Sequence, residues 1–259
     1  MEYFEKIEDN HYQDLLWNIP EQKTGIVGVI GGNGGSFRTV VKTAEFLSAT
    51  YPVKEARMIL PDALKGKLPD LPGLVFASST ETGSFKDGEE LKTAINALDC
   101  GILIGDLSKN AVTARAIASA VHSSAKPLLI TRDAVDLVAE NLTPELLLNE
   151  NLTFLTSVAQ LTKILGAVYY PRMLTMSQPL TQVAETLHKF TLSYGVKIIT
   201  LVNGQILVAK NGLVRAVALE KTGFSPITLW GGELAAKIAA VNLFSPGKPI
   251  EATLAALFV

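Results

Sequence analysis

The sequence is poor in the residues that build covalent and metal-held frameworks. Only one of its 259 residues is cysteine, Cys100. No intramolecular disulfide and no multi-cysteine zinc site can form. Cys100 precedes a buried run, has no sequence-visible base and is expected to be inert. The three histidines, His11, His122 and His188, stand apart. None falls in a His-Glu-x-x-His or similar ligand spacing, so structural roles are expected. A basic excess is missing as well. The 23 Lys and Arg against 25 Asp and Glu leave a net charge of −2, which argues against nucleic acid and anionic lipid as partners. No apolar run reaches the roughly 18 residues of a membrane span. The polar, acidic stretch Met1 to Asn10 has no signal-peptide core. A soluble, cytoplasmic protein is the expectation. A Walker A loop is also lacking: Gly66-Lys67 is followed by Leu68, and the loop is too short.

What is present is apolar and periodic. Hydrophobic residues make up 48% of the chain, enough for one large α/β core. Only 19% of residues are charged and the mean hydropathy is +0.28. Apolar surface is therefore expected to be covered by self-association, as a dimer or tetramer. Short apolar runs at Gly25–Ile30, Ala56–Leu60, Gly73–Ala77, Cys100–Gly105, Pro127–Thr131 and Asn151–Leu155 read as buried parallel strands. Helical spacing follows over 40–49, 86–97, 111–122, 133–139 and 158–165, and again over 179–193. Val196–Val202, Gln205–Ala209 and Leu213–Val217 are joined by Asn203-Gly204 and Asn211-Gly212, a pattern of tight antiparallel hairpins. Helices over 233–243 and 250–258 close the chain. Strands alternating with helices predict a three-layer α/β/α domain over 1–259, mostly parallel, with an antiparallel hairpin edge. Residues 1–24 read as an amphipathic lead-in.

Two glycine turns are the candidate binding elements. Gly31-Gly-Asn-Gly-Gly-Ser36 follows the first strand. Gly32 and Gly34 fill two places of a dinucleotide fingerprint, but Phe37 takes the third and no acidic residue closes the next strand. The readings open here are a nicotinamide-cofactor site, a turn without ligand, or a pocket wall at the carboxyl ends of the strands. Gly231-Gly232 open the helix from Glu233. Unpaired N–H groups and a partial positive charge there attract anions. Glu233 either complements that dipole or acts as a general base. Arg132 and Asp133 either face a pocket or simply pair with each other or with water.

Taken in order, several segments carry a resemblance. Val29-Ile-Gly-Gly32 is similar to an opening Val-Ile-Gly-Gly-Ser. Asp99 to Gly105 is similar to Asp-Ala-Val-Val-Ile-Gly, and Pro127 to Val135 to Pro-Leu-Val-Leu-Asp-Ala-Asp-Ala-Leu. Phe154 to Gly166 resembles a threonine-proline-histidine segment with its helix. Gly231-Gly-Glu-Leu-Ala-Ala236 resembles Gly-Thr-Gly-Asp-x-Leu-Ala-Gly. These motifs belong to the ADP/ATP-dependent NAD(P)H-hydrate dehydratases of the YjeF C-terminal type, within the ribokinase-like fold.

The resemblance implies that fold, ADP or ATP as cofactor and NAD(P)H hydrate as substrate. It implies nucleotide or anion contacts at Gly231, Gly232, Asn203 and Gly204. It implies a substrate pocket at Gly32, Asn33, Gly34, Thr39, Gly105 and Asp133. Whether a metal takes part is left open. The chain departs from the family at its chemistry. Asp106-Leu-Ser-Lys109 replaces Pro-Gly-Leu-Gly, Thr131 replaces the first aspartate after its strand, and Thr156-Ser-Val-Ala159 holds no histidine. Aligning the Leu-Ala pairs puts Gly232 where the catalytic aspartate belongs, and only a one-residue shift offers Glu233. The expectation is a divergent, weakly active or inactive member of this dehydratase and small-molecule kinase group. The alternatives are an active dehydratase and, more remotely, a nicotinamide-cofactor oxidoreductase.

Overall fold

Nine largely apolar runs and one short polar segment pair into one ten-stranded sheet in this computed structural model, which describes residues 2–175 and 177–258. The strands are β1 (Phe4–Ile7), β2 (Thr24–Gly31), β3 (Val53–Pro61), β4 (Leu74–Ala77), β5 (Cys100–Gly105), β6 (Leu128–Thr131), β7 (Leu152–Ser157), β8 (Lys197–Val202), β9 (Gln205–Lys210) and β10 (Leu213–Ala218). The helices are α1 (Arg38–Thr50), α2 (Gly88–Asn96), α3 (Ala111–His122), α4 (Asp133–Ala139), α5 (Pro144–Leu147), α6 (Val158–Ala167), α7 (Leu180–Ser193), α8 (Glu233–Phe244) and α9 (Pro249–Leu257).

The spatial order is β1-β10-β9-β8-β7-β6-β5-β2-β3-β4. Only β9 runs antiparallel to its neighbours. The strands of the parallel core are buried on both faces, which is why they read as continuous apolar runs. Alternate residues divide between two cores. Ile30, Leu103, Ile130 and Phe154 pack under α2 to α7, whereas Val29, Ile102, Leu129 and Leu155 pack under α1, α8 and α9. This is the expected three-layer arrangement.

The antiparallel hairpin strands lie at one side of the sheet, as expected, with one further strand outside them. Phe4 to Ile7 pair parallel with Val214 to Val217 and cover β10. The lead-in therefore contributes a strand, followed by a 3₁₀ turn over Gln13–Asn18. Its Phe4-Glu-Lys-Ile7 is too short and too polar to announce a strand, and only the exposed ladder of β10 gives it a partner. No helix among the described residues is long and apolar enough to cross a membrane.

Strand order reverses between β2 and β5, because β3 and β4 extend to one side of β2 and β5 begins the other. Open α/β sheets bind ligands beyond the carboxyl ends of strands at such a point. The loops after β2, β5, β6, β8 and β10 all emerge at that edge.

Candidate functional site

The carboxyl edge is built from glycines in close approach. The Gly32 N–H donates to the Gly105 carbonyl at 2.8 Å, and a Cβ on Gly31 would lie 2.3 Å from that oxygen. Asn33 organises the turn that follows. Its Oδ1 accepts from the N–H of Gly35 and Ser36, and its Nδ2 donates to the Asp106 carbonyl at 2.7 Å. Asn33 and Ser36 exchange backbone hydrogen bonds, and the Gly34 N–H donates to Gly83. Lys67 Nζ closes over the Gly34 carbonyl. Every backbone N–H from Gly32 to Ser36 thus has a protein acceptor. This loop is a clamped turn and a wall, without the free donors of a phosphate cradle.

Asp133 and Arg132 have separate partners. The Asp133 carboxylate accepts from the N–H of Asp106 and of Leu107, both at 2.9 Å. That grip leaves no space for a side chain at Gly105, whose added Cβ would lie 2.0 Å from Asp133 Oδ1 at φ +98°. Arg132 Nη2 pairs with Asp106 Oδ1 at 3.0 Å, and Nη1 donates to the Trp230 carbonyl at 3.2 Å. The two residues do not pair with each other. Arg132 holds a left-handed φ of +56°. Its carbonyl is fixed by Gln160 Nε2 at 2.6 Å, and Gln160 belongs to the capping box that starts α6. A continuous strap results, from Asn33 through Asp106 and Arg132 to Trp230. The Arg132–Asp106 salt bridge in this strap spans between the two glycine turns.

Asp133→Asn is expected to lower stability by roughly 2–3 kcal/mol. The amide nitrogen would face one of the two N–H donors, leaving it without an acceptor. Urea midpoints of the two proteins measure this, and an unchanged midpoint would show that the loop after β5 does not depend on the carboxylate.

The start of α8 differs from the clamped turn. Gly232 is its N-cap at φ +104°, and no side chain caps the helix. Glu233 is exposed in the first turn. A Cβ on Gly232 would lie 2.2 Å from Thr43 Oγ1 and 3.1 Å from the Ile104 side chain. Thr43 is 1% exposed and donates to the Thr39 carbonyl. Thr39 thus meets Thr43 through its backbone carbonyl. Thr131 Oγ1 is buried with no hydrogen-bond partner, as is Arg132 Nε. Thr131 ends β6 on the same face as Leu129, the face covered by α8.

Asn203 and Gly204, both with positive φ, make the expected tight turn at this edge. Asn203 Nδ2 donates to the Gln178 carbonyl, and the Gly204 carbonyl accepts from Leu219. The candidate site residues named from the sequence therefore lie at the carboxyl edge, Thr39 in the first turn of α1. Thr43, the pairing of Asp106 with Arg132 and the tie from Arg132 to Trp230 escaped the sequence reading. Thr131 alone left a trace, as the polar residue closing an apolar strand.

The remaining singular residues are structural in their contacts. His188 Nδ1 bonds the Gly212 carbonyl and its ring stacks on Tyr3 at 3.9 Å. Cys100 is buried, and desolvation pushes its thiol up to about 12. No group of three or more His, Cys, Asp and Glu stands together for a metal among the described residues.

No family model matches the sequence, and no curated protein matches it. Solved structures do. A ribokinase-like superfamily protein from Enterococcus faecalis V583 superposes with a TM-score of 0.70 at 15% identity, over 100% of this chain and 86% of that one. YxkO of Bacillus subtilis, a member of the UPF0031 family, matches at 0.63 and 13% identity, over 95% of this chain and 85% of that one. The pyridoxal kinase of Staphylococcus aureus, solved with AMP-PCP, matches at 0.50 and 13% identity, over 90% and 85%. At these identities the likeness shows the fold, and the fold of this chain is ribokinase-like.

Proposed function

We propose that the chain binds the phosphates of ADP or ATP at the start of α8, as a small-molecule kinase-like protein, and turns over weakly or not at all. One observation carries the reading. The uncapped helix start adjoins the Arg132 guanidinium, held to Trp230, and a buried Thr131 hydroxyl without a partner. Helix N-termini and guanidinium groups both favour phosphate oxygens. A buried hydroxyl with no partner costs about 1–3 kcal/mol, and a ligand acceptor removes that cost. The nucleotide analogue held by the S. aureus kinase supports the same class of ligand.

The weak turnover follows from Gly232. No carboxylate stands at that position, and none fits there. A missing base typically costs 10²–10⁴-fold in rate. The finer assignment, dehydration of NAD(P)H hydrate, rests on the motif resemblance alone.

The test is calorimetric titration of ADP and ATP into wild type and Thr131→Val. The variant is nearly isosteric and removes only the buried hydroxyl. It is expected to weaken nucleotide binding about five- to tenfold while stability is unchanged or higher, because removing an unpaired hydroxyl relieves its desolvation. No nucleotide binding to wild type, or equal affinities in the two proteins, would overturn the reading. Recovery of NADH from its hydrate at ~1–10³ s⁻¹, abolished by Glu233→Gln, would make Glu233 the base of an active dehydratase.

A further inference from the structure

The chain's two most deeply buried lysines lie at the opposite end of the sheet. Lys197 opens β8 and Lys210 ends the antiparallel β9, so both reach the amino edge, and they are 3% and 6% exposed. Both line a cavity of about 660 Å³ between that edge and the junction of α8 with α9. Lys197 Nζ donates to Asn242 Oδ1 at 2.8 Å, Thr253 Oγ1 at 2.7 Å and the Pro249 carbonyl at 3.1 Å. Lys210 Nζ donates to the carbonyls of Glu150 at 2.7 Å and Gly195 at 3.3 Å. All these acceptors are neutral. Two buried amines thus share one cavity without a carboxylate among their hydrogen-bonding partners, an arrangement that disfavours charge on both. Burial, and then the charge of Lys210, hold Lys197 down to about 7.

We infer that this cavity binds a small organic monocarboxylate, its head hydrogen-bonded by Lys210 and held in the field of the Lys197 ammonium, its apolar body along Leu128, Leu243 and Phe244. The volume falls in the range of small-molecule sites, which are mostly apolar with a few convergent polar groups. The anion supplies a counter-charge inside the cavity, where Glu150 acts on Lys210 only from the exposed rim. Lys210 keeps a third N–H for it beyond its two carbonyl bonds, whereas all three N–H groups of Lys197 stay on protein acceptors. The walls select the body: Leu128, Leu129, Ile238, Ala239, Leu243 and Phe244 contribute apolar side chains to the lining. The other ionisable groups facing it are Asp99 and Glu150, both exposed at the rim, and the neutral thiol of Cys100. Two rim carboxylates disfavour polyanions such as phosphate or a nucleotide. The site is therefore distinct in place and in ligand chemistry from the one at the start of α8.

The probe is hexanoate, titrated into the full chain and compared with acetate and inorganic phosphate. Saturable binding is expected, at least tenfold tighter for hexanoate than for acetate, since each buried methylene is worth a few-fold in affinity. Binding is expected to be roughly tenfold tighter at pH 6.5 than at pH 8.5, because the carboxylate needs Lys197 protonated. Lys210→Met is expected to cost at least tenfold. Leu243→Trp, which fills the cavity without touching either amine, is expected to abolish binding, and it keeps the test available should a lysine variant fail to fold. Thermal melts of each variant report folding. Failure of hexanoate to saturate by about 10 mM would overturn the inference. So would phosphate binding as tightly as hexanoate, or a hexanoate affinity that ignores both pH and these substitutions. ADP and ATP affinities are expected to be unchanged in Lys210→Met, so this outcome is separable from that of the proposed nucleotide site.

Discussion

Gly232→Asp, which writes the resemblance's aspartate back into the sequence, is expected to lower the melting temperature by roughly 5–15 °C and to restore no turnover. Two costs combine. At φ +104° a side chain is strained whatever the space around it, typically by about 1–3 kcal/mol. Its Cβ would also collide with Thr43 Oγ1, in a helix–sheet junction where Ile104 stands at 3.1 Å. Overpacking of this kind adds about 1–3 kcal/mol. Gly232→Ala should reproduce most of the loss, since the cost arises at Cβ and in the backbone. Thr43→Ala combined with Gly232→Asp should recover about 1–2 kcal/mol, because the two positions are in contact and their effects do not add. A Gly232→Asp protein that melts like wild type and turns over nucleotide would mean that Thr43 yields. The site would then be eroded in sequence only.

Between pH 7 and pH 8.5 the protein is expected to gain about 1–2 kcal/mol of stability through Lys197. The folded chain holds this amine down to about 7, while the unfolded chain keeps it near its ordinary value of 10.5. In that window the unfolded state binds more protons than the folded one, so raising the pH favours folding. Below pH 7 both states are protonated and the contribution is flat. Lys210, lowered chiefly by burial, acts in the same direction. Cys100 acts against it: its thiol, raised by burial, resists ionising in the folded state, but only above its unfolded value near 9. The measurement is the urea midpoint at pH 7.0 and 8.5 for wild type and Lys197→Met. The wild-type rise should be largely absent from the variant. Equal rises would show that Lys197 is charged when folded and that another group carries the dependence.

The parallel core was legible in the chain because its strands are buried on both faces. Gly25–Ile30, Cys100–Gly105 and Pro127–Thr131 are nearly pure apolar runs, and a run of that kind bounded by glycine or proline has few alternatives. The Asn-Gly pairs at 203–204 and 211–212 were equally plain, since both residues of each take positive φ and few residue pairs do so cheaply. The strand at Phe4–Ile7 was not legible. Its stability comes from the open edge of β10, a partner more than two hundred residues away, and local pattern carries no trace of it.

The same division holds at the site. The sequence by itself determined that these turns lie at the carboxyl edge, because parallel strands place every β-to-α loop there. Only the tertiary structure decided what those turns can do. The donors of Gly32 to Ser36 are taken by Asn33, Ser36, Gly83 and Gly105. Arg132 selects Asp106 over its neighbour Asp133. Thr43, from another helix, occupies the space a carboxylate at Gly232 would need. Each of these is a contact between chain-distant atoms, decided by ångström-scale packing that residue identity and spacing do not encode.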